Sequence, residues 1–184
     1  GEAHVRNLLL GRTAGEVFGP VSRIAYTPDS FGHPAQFPQL FAGFGLRAFV
    51  YWRGHGNEID GLPAEWNWVA PDGTALLACH LGRGYFSAAL DPANDLDQAA
   101  EASSERARAL ADRSRSNAIL LMNGLDHQPP DPRSSSLAEA IAKKTGFRVE
   151  RALLEDFVDA VETSAVPRLD WSGELTGARV APLL

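Results

Sequence analysis

Short apolar runs alternate with amphipathic stretches along the chain. Val5, Leu8, Leu9 and Val17 predict an amphipathic helix over about 2–17, ended by Gly19-Pro20. Arg23-Ile24-Ala25-Tyr26 is an apolar run of strand character. Phe37, Leu40, Phe41 and Phe44 then recur at helical spacing over 35–44, with Gly45 as a stop. Ala48-Phe49-Val50-Tyr51-Trp52 is a second strand of buried type, rich in aromatic and β-branched residues. Strand, helix and strand in that order form a βαβ unit, which must be parallel and right-handed.

Residues 53–63 are rich in Gly and charge and predict a long loop at the same sheet edge as Asp29. Trp66-Asn67-Trp68 alternates like a strand, Pro71-Asp72-Gly73 is a turn, and 74–81 is another strand. A loop through Gly82-Arg83-Gly84-Tyr85 leads to a helix over 96–113 whose charged face needs only solvent. Further strands are expected over 117–122, 147–151 and 169–175. Between them lie a helix over 137–144, capped by Ser136 and closed by Gly146, and a helix over 153–161. Strands alternating with helices imply an α/β protein with a parallel sheet covered on both faces. That pattern fits an open doubly wound sheet and a barrel equally well.

Composition narrows the function. The 184 residues are 45% hydrophobic and carry a net charge of -6, with a pI near 5.3. No basic stripe is present to neutralise phosphates, so nucleic acid is not an expected partner. No segment approaches the roughly 20 apolar residues that span a bilayer, so no membrane partner is expected either. The single cysteine, Cys79, lies in an apolar run and reads as a small core residue; nothing suggests an oxidising compartment, and a cytoplasmic location is the expectation. The chain opens at Gly1-Glu2-Ala3 without an initiator Met and closes at Pro182-Leu183-Leu184, which reads as an interior portion of something longer, a single partial domain.

Two aspartates stand where chemistry is expected. Asp29 follows the first strand and precedes a helix, the edge of a parallel sheet where ligands bind. Asp126 follows the expected 117–122 strand in a Gly- and Pro-punctuated loop, at a comparable address. Position alone leaves open for both the plainer role of a capping or turn aspartate.

The string Pro28-Asp29-Ser30-Phe31-Gly32-His33, then Pro38-Gln39, Gly43-Phe44-Gly45 and Phe49-Val50-Tyr51-Trp52-Arg53-Gly54, resembles the nucleophile segment of the α-mannosidases of glycoside hydrolase family 38. Met122-Asn123-Gly124-Leu125-Asp126-His127 is similar to the family's acid/base segment. The resemblance implies a seven-stranded (β/α) barrel, incomplete in this chain. It further implies retaining hydrolysis of α-mannosides, with Asp29 as nucleophile and zinc ligand, Asp126 as general acid/base, and an α-mannoside oligosaccharide or glycoside as substrate. Such a reaction needs two carboxyls about 5 to 5.5 Å apart, one ionised to attack and one protonated to serve the leaving oxygen. By the same resemblance Arg53 lies near the nucleophile. Tyr85, in the loop after the 74–81 strand, is a candidate to contact sugar hydroxyls or to stack on a ring face.

One zinc ion is expected, with most of its ligands outside this chain. The family's His-x-Asp pair has no counterpart here, and Pro182 stands near the place of its later His ligand. One carboxylate cannot hold zinc, which needs three or four protein donors. The chain alone is therefore expected to be inactive. His33, one helical turn from Asp29, and His127, beside Asp126, offer a local alternative as metal ligands, with His4 and His55 expected on the surface and His80 near a strand end. Trp66 and Trp68 read as packing residues. Another metal-dependent carbohydrate hydrolase or deacetylase on a similar barrel, or a non-catalytic sugar-binding α/β domain, remain the alternative readings.

Overall fold

The computed structural model describes residues 1–88 and 94–177. They fall into two compact units, one built from Gly1–Asp60, Trp66–Cys79 and the described chain from Leu169, the other from Gly61–Glu65 and His80–Arg168. Pro182, which stands near the place of the family's later His ligand, lies outside the described residues.

The first unit is centred on a five-stranded sheet of order β1-β3-β5-β4-β6, with β1 at Ile24–Thr27, β3 at Ala48–Tyr51, β4 at Glu65–Val69, β5 at Ala75–His80 and β6 at Asp170–Ser172. The first two strands pair in parallel, Ile24 opposite Ala48 through Thr27 opposite Tyr51, as the βαβ reading requires. The connecting helix α2, Phe37–Gly43, turns Phe37, Pro38 and Phe41 inward and ends where Gly45 adopts φ 73°. All four residues of β3 are buried, so its unbroken apolar run is explained by cover on both faces.

The sheet is mixed and open. β4 and β6 pair in parallel, with Trp68 opposite Trp171. β4 and β5 instead form an antiparallel hairpin: Ala70 N–H donates to Thr74 O at 2.9 Å and His80 N–H to Ala64 O at 2.8 Å. Asp72 accepts from Thr74 N–H at 3.0 Å and holds the turn. A two-stranded antiparallel ribbon joins β2, Gly32–His33, to β7, Leu175–Thr176.

The core of this unit is aromatic. Phe49 stacks on Tyr51 at 5.0 Å and lies 5.3 Å from Trp68, and Tyr51 meets Trp66 edge-on at 5.9 Å. Trp66 and Trp68 have no exposed surface, and the Trp68 indole N–H donates to Gly173 O at 2.9 Å. Both are thus packing residues, as their alternation predicts. The helix α1, Glu2–Glu16, matches its expected span but buries none of its residues.

The second unit is mainly helical. α3, Leu96–Ala111, is capped by Asp95, whose side chain accepts from Gln98 N–H. Its small residues Ala99 and Ala100 pack against Leu137 and Ile141 of α4, Ser134–Thr145. α4 begins two residues before Ser136, so that serine lies inside the helix and is not its cap. Asp131 organises the start instead, accepting from Arg133 N–H at 2.7 Å while Ser134 Oγ donates to its backbone carbonyl. Gly146 closes the helix at φ 74°, as expected. α5, Leu154–Glu162, buries Phe157, Val158 and Val161.

Two expected strands are absent from this unit. Residues 118–122 and 147–151 carry no ladder among the described residues. An apolar run supplies a surface to bury but not a pairing partner. The polar groups of Met122 turn to Ser87 Oγ and Ala88 N–H, each at 2.8 Å, rather than to a neighbouring strand.

Candidate active site

Asp29 lies two residues past β1, in a loop that leads into β2. Neighbouring parallel strands end side by side, so Arg53, two residues past β3, is delivered to the same edge. Arg53 Nε stands 3.2 Å from Asp29 Oδ1, with the two side chains 24% and 43% exposed. The contact is an ion pair without an aligned hydrogen bond at Nε. The guanidinium also lies over the Trp52 ring at 4.2 Å and over the Phe31 ring at 6.0 Å, within cation–π reach of aromatic faces on the same loops.

The backbone of this loop is drawn tight. Arg53 N–H donates to Pro28 O at 3.0 Å. On the other side of Asp29, His33 Nε2 lies 2.8 Å from Arg53 O; a carbonyl only accepts, so Nε2 carries the proton. Gly54 follows at φ 90°, and a side chain there would meet Ser30 O at 2.5 Å and Gly32 N and His33 Nε2 at 2.7 Å. The glycine is required twice, by its backbone angle and by the approach of the other loop.

His33 is not the metal-facing residue that its spacing from Asp29 allows. Residues 28–33 form no helical turn, and the ring is 1% exposed, set edge-on to Phe49 and Tyr51 at 5.1 and 5.2 Å. Burial lowers its pKa, the bond to Arg53 O opposes that shift, and neighbouring His55 adds to it. His55 is also buried, contrary to its expected place on the surface; its Nδ1 lies 3.1 Å from Gly56 O. His4 is exposed as expected, and His80 is buried at the end of β5.

In the second unit, Asp126 is exposed and accepts a hydrogen bond from the Tyr85 hydroxyl at 2.9 Å. The Tyr85 loop is tied to the Asp126 loop by Ser87 and Ala88 bonding to Met122. Tyr85, a candidate to contact sugar hydroxyls, thus has its hydroxyl directed at the Asp126 carboxylate. His127, beside Asp126, is exposed with φ 60°. The structure thus groups Asp29 with Arg53, and Asp126 with Tyr85, each within one unit.

Among the described residues, no group of three or more His, Cys, Asp or Glu side chains is placed to hold a metal ion. Asp29 is one carboxylate already facing a guanidinium, and His33 turns its Nε2 to Arg53 O instead of joining it. These residues do not by themselves fit a zinc site. No helix among the described residues is long and apolar enough to cross a membrane.

Sequence reasoning missed Glu65, a carboxylate 4% exposed at the start of β4. Burial raises its pKa, opposed by the Ser114 hydroxyl at 2.9 Å and Arg115 N–H at 3.2 Å. A charged residue beginning an aromatic strand reads as exposed by default, and its partners lie about fifty positions away, so no local signal marks it.

The model of the glycosyl hydrolases family 38 N-terminal domain matches residues 1–174. The chain belongs to glycosyl hydrolase family 38. A Halalkalibacterium halodurans protein provisionally named a mannosylglycerate hydrolase is 37% identical over 139 residues, covering 70% of this chain and 15% of that protein. Human alpha-mannosidase 2C1 is 34% identical over 79 residues, covering 42% of this chain and 8% of that protein. The crystal structure of an alpha-mannosidase from Enterococcus faecalis V583 superposes with a TM-score of 0.82 at 27% identity, over 96% of this chain and 20% of the other. The family 38 chain therefore spans only about a fifth or less of the length of these relatives.

Proposed function

We propose that this chain carries the nucleophile and the acid/base of a retaining α-mannoside hydrolase, with Asp29 and Asp126 in those roles. The observation that carries the reading is the Asp29–Arg53 pair at the adjoining ends of two parallel strands, in a chain of family 38. In the first step an Asp29 carboxylate oxygen bonds to the anomeric carbon as the bond to the leaving oxygen breaks, and Asp126 gives that oxygen its proton. In the second, Asp126 takes a proton from water, the water oxygen bonds to the anomeric carbon, and the Asp29 ester bond breaks.

Arg53 orients the Asp29 carboxylate for attack. Tyr85 holds Asp126 toward the leaving oxygen. Asp29 is also proposed as the one zinc ligand that this chain supplies, the remaining donors coming from segments beyond it. In that longer polypeptide the open mixed sheet forms part of a (β/α) barrel. The substrate is an α-mannoside; the name of the Halalkalibacterium relative favours including mannosylglycerate among those assayed.

The test is hydrolysis of an aryl α-mannoside and of mannosylglycerate, with added zinc, by this chain and by the chain extended in both directions, each with and without Asp29→Asn. Turnover by the extended form, lost by at least about a thousandfold in Asp29→Asn, is the expected result for a nucleophile. Full activity in Asp29→Asn removes the nucleophile assignment. Turnover by the 184-residue chain alone refutes the expectation that ligands are missing.

A further inference from the structure

The residues around Asp29 make a closed ring whose fastening is the backbone of Arg53. Arg53 N–H reaches back to Pro28 O, before the aspartate, and Arg53 O receives His33 Nε2–H, after it. The segment from Pro28 to His33 is thus held at both ends by the two polar backbone groups of a single residue. The side chain of that residue is the one that faces Asp29. Gly54 lets the strands of the ring touch, because any Cβ there would lie within 2.5–2.7 Å of Ser30 O, Gly32 N and His33 Nε2.

His33 is built for this bond. Its ring is 1% exposed, flanked by Phe37, Phe49 and Tyr51, and its Nδ1 has no hydrogen-bond partner among the described residues. A buried bare nitrogen is costly, so the ring is kept in place for its other nitrogen. We propose that His33 is a positioning residue: its Nε2–H fixes the Arg53 peptide, and through it the Arg53 guanidinium against Asp29. The inference rests on the reading of Asp29 as nucleophile.

Gln and Met are close in size and reach, and only Gln can donate from the place of Nε2, so His33→Gln and His33→Met separate the bond from the volume. In the extended chain, His33→Met is expected to lower kcat on an aryl α-mannoside about 10- to 100-fold with KM within about threefold, and His33→Gln to restore most of it. In an Arg53→Ala background the same His33→Met change is expected to cost less than about threefold, because a residue acting through Arg53 has nothing left to act on. Equal losses in both backgrounds, or equal losses for Gln and Met, overturn the proposal.

A second readout is independent of activity. Amide hydrogen exchange in His33→Met, relative to His33→Gln, is expected to rise at least about tenfold in residues 29–33 and 53–54 while β3 and α2 keep their protection. Uniformly faster exchange, or none, also overturns it. If Asp29→Asn stays active, the nucleophile reading fails while the exchange pattern still decides whether His33 fastens the loop. If Asp29→Asn is inactive and the losses simply add, only the role of His33 fails.

Discussion

Gly54→Ala should destabilise the chain far more than the same substitution at Gly73, although the two glycines have nearly the same backbone angle, φ 90° and 85°. Forcing an L-residue into that region costs about 1 to 2 kcal/mol at either site. At Gly73 that is the whole cost, because an added methyl meets nothing within 4 Å. At Gly54 the methyl would stand 2.5 Å from Ser30 O and 2.7 Å from Gly32 N and His33 Nε2, overlapping two backbone atoms that cannot swing aside. Overpacking of this kind adds about 1 to 3 kcal/mol, and displacing His33 from Arg53 O adds about 1 kcal/mol more. The sum is about 3 to 6 kcal/mol, against about 1 to 2 for Gly73→Ala. Urea unfolding followed by tryptophan fluorescence reports the difference directly, since Trp66 and Trp68 are fully buried in the same unit. Equal shifts in the two variants would refute the close approach of the loops on which the account of the Asp29 site depends.

Two further outcomes follow from named groups. His33 has its pKa lowered from 6.5, chiefly by burial, so below pH 6.5 the unfolded chain takes up a proton that the folded chain refuses. Its contribution to stability is present above that value and is lost as pH falls toward the folded-state pKa, by up to about 1.4 kcal/mol per pH unit. The gap in urea midpoint between the parent and His33→Gln should narrow from pH 7 to pH 5; a constant gap rules this out. Tyr85→Phe removes the donor to Asp126 at an exposed site, so its stability should change by less than about 1 kcal/mol. Its activity in the extended chain should fall about tenfold on an α-mannoside with a poor leaving group and little on a dinitrophenyl mannoside, which needs no acid. Equal losses on both would show that Tyr85 does not serve Asp126.

The parallel β1–β3 pair and the placing of Asp29 were legible because a fully buried strand must be apolar at every position, and Ala48 to Tyr51 is. Asp29 and Arg53 stand at matched distances beyond paired strands, so the register that joins Thr27 to Tyr51 also joins the two charges. Residues 118–122 are as apolar, and Phe147 and Val149 alternate with charged residues as an edge strand would, yet neither segment forms a strand. A ladder depends on a partner chosen by the rest of the chain, which a local run does not encode. The β4–β5 hairpin was visible in its turn but departs from an all-parallel sheet for the same local reason: a five-residue connection can only reverse the chain. Glu65 escaped because its partners Ser114 and Arg115 lie about fifty positions away, and His55 because its Gly-rich, charged surroundings read as an exposed loop.

Arg53 illustrates how stability and chemistry are separated at this edge. Its side chain is partly exposed and that of Asp29 more so, and an ion pair in such surroundings contributes at most about 1 kcal/mol to folding. Truncating the guanidinium should therefore leave the fold nearly intact. The backbone of the same residue is another matter, since its N–H and C=O close the ring from Pro28 to His33 and survive any substitution except proline. A loss of kcat in Arg53→Ala without loss of stability would thus measure what the guanidinium does for Asp29, separately from folding. The arrangement suits the proposed role of Asp29 as a nucleophile, which needs an accessible carboxylate: a tightly aligned, fully buried pair would hold it more strongly but oppose its transfer to carbon. A half-exposed pair, held in place by backbone bonds that do not depend on the charges, would keep the proposed nucleophile oriented and within reach of substrate.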